Sequence, residues 1–168
     1  MTAAIPIQVP DAVAAEINAA VAADVFTIGE FVAERSYVDW DADFADLDDM
    51  AVDVVFVTAP NDDDIELSAA GELSYQVSVD VVVRKRFKPE DRRTNSARLR
   101  NEAVDPLVLL LQEIYEHFAS RRNADVLPTM LTAKWMESDV KSWVNNWKLR
   151  AGMFEGAVRL HFDVSKAG

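Results

Sequence analysis

The chain has 168 residues, half of them hydrophobic. That is enough to bury roughly 70% of the unfolded surface as one domain, and too apolar for a wholly disordered chain. It has no cysteine and only two histidines, His117 and His161, which removes disulfides, thiolate nucleophiles and cysteine-based zinc or iron–sulfur sites. The net charge of −12 divides unevenly: the first 83 residues hold 18 acids and one base, Arg35, a net of −17, and the remainder holds 11 acids and 16 bases, a net of +5.

In chain order, Pro10 and Asp11 read as helix-start residues, and Val13, Ile17, Ala20 and Val21 recur at helical spacing. They predict a short helix over about 11–23, with Glu16 and Asn18 on the opposite face. Nothing near the N-terminus supplies the basic segment of a secretory leader. From Phe26 to Tyr37 the pattern changes to period two and predicts an extended strand. Residues 38–50, VDWDADFADLDDM, form an acidic connector, and AVDVVFV (51–57) is a β-branched strand apolar enough for burial on both faces. After Pro60, an acidic loop is expected through residue 73. In SYQVSVDVVVRKRF (74–87), Tyr75, Val77, Val79, Val81 and Val83 alternate with more polar positions, which is the clearest strand of the chain.

Pro89 ends that strand. A basic lead-in follows, then a helix expected from Asp105 to about Ser120, with Pro106 in its first turn. Its apolar stripe includes Leu107, Val108, Leu111, Ile114, Tyr115 and Phe118. Leu131, Ala133, Trp135 and Val140 then suggest a strand, SWVNNWKLRAG a polar–aromatic connector, and MFEGAVRLHFDV (153–164) a closing strand with a bulge at Gly156. Strands outnumber helices and neighbours in sequence can pair. The expected class is therefore α+β: a mostly antiparallel β-sheet with one long and one short helix packed on it, as a single domain over 1–168 with extended loops at 38–50 and 58–73.

The chemistry-bearing patterns are sparse. Asp39, Asp41 and Asp43 copy the opening ligands of an EF-hand loop, but Phe44 stands where glycine is needed and Met50 where a bidentate Glu is needed. A looser cation site on these acids, or on Asp62–Asp64, belongs to the reading of a small cation-dependent enzyme. His161 is out of phase with Leu160 and Phe162 and is expected to face solvent or a neighbour. His117 reads as a helix-flank residue. No nucleophile motif and no phosphate-cradling glycine loop is present. No catalytic, cofactor-binding or metal residue is assigned.

The cluster Arg84, Lys85, Arg86, Lys88, Arg92, Arg93, Arg98 and Arg100 fits either nucleic-acid phosphates or the acidic surface of a second copy. With Phe87 as its one aromatic for base stacking, and with an acidic chain around it, contact between copies is preferred over a nucleic-acid-binding module. The residues expected at subunit contacts are Arg84, Arg86, Arg92 and Arg93 against Asp39, Asp41, Asp46 and Asp48. Trp143 and Trp147, set in a polar segment, are the expected aromatic anchors.

From about Phe26 to Val164 the order of elements resembles the tail terminator (tail completion) proteins of long-tailed bacteriophages. The similarity is carried by FVAERSYVDW, the acidic connector and VDVVFV, then YQVSVDVVVRKRF. The helix with LLLQEIYEHF and its arginine-rich end follows, and a Trp-bearing strand and a final Phe-rich strand close the pattern. The resemblance implies a virion protein of the head–tail junction, assembled in the host cytoplasm as a six-membered homo-oligomeric ring. Such a ring ends the tail tube and joins it to the head connector. Tail tube protein and a head-closure or connector protein would be its partners, DNA would only pass through the lumen, and neither catalysis, cofactor nor membrane contact is implied. Another neck or tail-tube component, such as a head-closure protein, is the alternative within the same class.

Overall fold

Val77, Val79, Val81 and Val83 alternate with Ser78, Asp80 and Arg84, and this period-two run builds the spine of the molecule. In the computed structural model, which describes residues 4–36, 54–58, 66–70, 72–96, 98–121, 127–130 and 132–166, it forms strand β4, Glu72–Arg86. Strand β6, Met153–Lys166, pairs antiparallel with β4 from Leu73↔Lys166 to Arg86↔Met153. The register sets Val77 beside Phe162, Val79 beside Leu160 and Val81 beside Val158, so both apolar stripes share one face. The other strands among the described residues are β1 (Ala33–Ser36), β2 (Val54–Thr58), β3 (Glu66–Ala70) and β5 (Ala133–Ser142). Their order is β1-β2-β4-β6-β5, and among the described residues only the β1–β2 pair is parallel. The chain is α+β with a mostly antiparallel sheet, as its sequence leads one to expect.

Because β6 lines one edge of β4, β2 and β3 share the other. β2 lies against Asp80–Arg84 and β3 against Glu72–Gln76, as two runs of one interrupted strand. The loop expected over 58–73 therefore holds a strand and the start of another. The connector expected over 38–50 lies outside the described residues.

Helices α1 (Ile5–Ala22) and α2 (Asn101–Ala119) pack on the valine face, α1 over β1, β2 and β4, and α2 over β5 and β6. Leu107, Leu110, Leu111, Ile114 and Phe118 of α2, and Val9, Val13 and Ile17 of α1, are essentially inaccessible to solvent. Each such side chain contributes about 1.5–3 kcal/mol by leaving water. Among the described residues, no helix is long and apolar enough to cross a membrane.

Both long helices start earlier than expected. Pro10 and Pro106 each occupy the sixth helical position rather than the first turn. There a proline removes one backbone bond near a helix end, and the packed stripe beyond it holds the helix together. The strand expected over 26–37 shortens to Ala33–Ser36. Phe26 and Phe31 have opposite parity yet are both 5% exposed, with ring centroids 5.9 Å apart, and an extended strand cannot send both to one core. Glu113 of α2 fixes this segment by accepting from the Thr27 N–H and hydroxyl. The polar connector after β5 contains a third, short helix, α3 (Asn146–Arg150), capped by the Asn145 side chain.

Candidate functional site

The same alternation that sends valines to the helices sends Ser78, Asp80, Val82 and Arg84 of β4 to the opposite face of the sheet. Register places Glu155, Ala157, Arg159, His161 and Asp163 of β6 beside them. Ser78, Asp80 and Arg84 are buried nonetheless, at 7%, 6% and 3% exposure. Buried polar groups need partners, and here they are arranged as successive clusters along the two strands.

At one end, Glu155 is fully buried and accepts from Arg84 Nε at 2.7 Å and from Lys148 Nζ at 2.6 and 2.7 Å. Gly156 shows how the strand is oriented: a side chain there would overlap Leu111 Cδ1 of α2, so Glu155 points away from α2. Lys148 comes from α3, which folds over this end of the second face. In the middle, Asp80 holds the Arg159 guanidinium by two bonds, at 2.7 and 3.0 Å.

Next along the strands, Ser78 Oγ shares a hydrogen bond with His161 Nδ1 at 2.8 Å, and His161 Nε2 lies 3.0 Å from Asp139 Oδ2. Asp139 and Glu137 come from β5, whose pairing with β6 slips between Trp135 and Glu137. Met136 is the extra residue of this bulge. It places Glu137 directly opposite His161, and the Trp135 indole N–H closes the bend by donating to Ser138 Oγ at 2.9 Å. Ligand-capable atoms of Glu137, Asp139 and His161 all lie within 4.8 Å of one another. Two residues along β6 on the same face, Asp163 Oδ1 is buried with no hydrogen-bond partner among the described residues.

Serine, histidine and aspartate in series suggest a nucleophile relay, but the geometry disfavours one. Ser78 is 7% exposed in the middle of the β4–β6 ladder, so its hydroxyl offers little for a substrate to approach. The arrangement suits ion binding better: two exposed carboxylates and a half-buried imidazole whose second nitrogen is fixed from behind.

The expected contact residues divide into three groups. Arg84 is a correction: it is locked inside the fold on Glu155, because its even position in β4 directs it to the buried second face. Arg86, Arg92 and Arg93 are exposed at one end of the sheet. There residues 91–100 double back on themselves through the Arg92–Leu99 bridge and the Arg93 N–H to Arg98 carbonyl bond of 2.8 Å, with Asn95 in the left-handed region at φ 57°. This basic lobe abuts the turn after α3. The Phe87 N–H donates to the Gly152 carbonyl at 2.9 Å, and Arg92 Nη2 lies where a Cβ on Gly152 would have to pass. Trp147, on α3, is 78% exposed and Trp143 is 44% exposed. Asp39, Asp41, Asp46 and Asp48 lie outside the described residues.

The partners of the two histidines are not visible in the pattern of residues around them. His117 is no idle flank residue: its Nε2 meets Glu16 Oε1 at 2.9 Å, and Arg121 joins the same carboxylate, tying α2 to α1. The cluster around His161 was signalled by a parity change, since Trp135 and Val140 cannot both face inward without one extra residue between them. No protein-family model matches the chain, and no curated protein is detectably similar to it.

Proposed function

We propose that the chain is the subunit of an oligomeric ring at the head–tail junction of a long-tailed phage, a tail terminator that closes the tail tube and meets the head connector. The supporting observation is the exposed basic and aromatic ledge at one end of the sheet. Arg86, Arg92 and Arg93 share that end with Trp147, on a chain whose first 83 residues carry a net charge of −17. A basic surface on one copy and an acidic surface on the next make a heterologous contact, which closes into a ring when the rotation per subunit permits. Arginine and tryptophan are also the residue types that dominate interface energetics.

The test is the native mass of the purified chain by light scattering, with negative-stain images of the same fractions, alone and with tail tubes. About six copies of the 18.7 kDa subunit are expected. The double variant Arg92→Glu, Arg93→Glu should remain folded by circular dichroism and fail to assemble. A strict monomer that never adds to tubes overturns the proposal, and unchanged assembly of the double variant removes its electrostatic contact.

A further inference from the structure

We propose that Glu137, Asp139 and His161 bind one divalent transition-metal ion of the Mn²⁺–Zn²⁺ class, which fastens the edge strand β5 to β6. The donor set is one imidazole nitrogen and two carboxylates, already gathered within 4.8 Å. Carboxylates alone favour Mg²⁺ or Ca²⁺, and a neutral imidazole moves the preference toward the first-row transition metals. Two carboxylates also match the charge of a dication.

Three features outside the donor set favour an ion there. The bulge at Met136 sets Glu137, rather than the methionine, opposite His161. Ser78 holds Nδ1 at 2.8 Å from the buried side of the sheet, the outer-shell contact that orients a ligating histidine and leaves Nε2 for the metal. Asp163 Oδ1, on the same face, is buried with no hydrogen-bond partner among the described residues, an acceptor left unmet beside the site. On binding, the ion takes the place of the Nε2 to Asp139 hydrogen bond. The imidazole then carries its proton on Nδ1, directed at Ser78 Oγ, so a neutral ring stays neutral. Asp139 is 54% exposed at its side chain and His161 27%, so the ion has an open approach from solvent, and water completes its coordination. The site lies within one subunit, and binding is expected in monomer and ring alike.

The experiment titrates the full-length chain with MnCl₂ and with ZnCl₂ by calorimetry, and follows thermal unfolding in parallel. One ion per chain is expected, with Tm raised by roughly 5–10 °C at a hundredfold excess over Kd. Glu137→Gln and Asp139→Asn, both at exposed positions, should keep the fold and each weaken binding at least tenfold. Paramagnetic shifts of the His161 ring protons on adding Co²⁺ should report direct coordination. Absence of saturable one-to-one binding up to millimolar metal overturns the proposal. So does binding that both variants leave unchanged, which would put the ion on other carboxylates.

Discussion

Glu155 is the residue on which most buried charge depends. One fully buried carboxylate faces a guanidinium and an ammonium that are themselves 3% and 5% exposed. The interior does not reward such a cluster greatly for being present, but it penalises its disruption, because the surviving charges remain out of water. Glu155→Gln keeps the shape and removes the charge, leaving Arg84 and Lys148 without this counter-ion. It should lower the unfolding free energy by about 3–5 kcal/mol, read as a shift in the urea midpoint with unchanged slope. Lys148 also links α3 to the sheet, so the variant should loosen the turn that presents Trp147. Reduced protection of the α3 amides from hydrogen exchange, ahead of the rest of the chain, is the expected local signature.

At the scale of elements, the shortest strand has the most specific support. β1 is four residues long, and among the described residues its strand partner is β2. The Asn18 side chain acts as its other neighbour: Nδ2 donates to the Ala33 carbonyl at 2.9 Å, and Oδ1 accepts from the Ala33 N–H at 2.8 Å. An amide placed this way reproduces a strand partner and closes the edge against pairing with another chain. Asn18→Ala leaves both Ala33 backbone groups unpaired at a residue 3% exposed, at a cost of about 1–3 kcal/mol for each group left without a partner. A drop in stability with faster exchange at β1 is the expected result. Period-two and helical patterns made β4, β6, α1 and α2 legible in sequence, since each repeats over several turns or pleats. Asn18, Glu16 and Arg84 were misread because pattern assigns polar residues to solvent, whereas these three find their partners 15, 101 and 71 residues away in the chain. The His161 cluster was half legible, since phase put the histidine on the second face. Its acidic neighbours depended on a bulge that interrupts the pattern.

For the whole molecule, the decisive quantity is the unequal distribution of charge. In the proposed ring, attraction between a basic ledge and an acidic segment of the next copy would act across solvent, where screening length falls from about 10 Å at 0.1 M salt to about 3 Å at 1 M. Burial of Trp143 and Trp147 between copies would respond in the opposite sense, because excluded salts strengthen apolar association. The two contributions can therefore be separated on one sample. If the arginines dominate, raising NaCl from 0.1 M to 1 M should move the native mass from the ring toward the 18.7 kDa monomer. The Arg92→Glu, Arg93→Glu variant should behave at low salt as the unaltered chain does at high salt. If the tryptophans dominate, added salt should leave the mass unchanged while Trp147→Ala alone disperses the ring. With the ledge composed of three exposed arginines beside one widely exposed tryptophan, the first behaviour is expected, with Trp147→Ala lowering the salt concentration at which the ring comes apart.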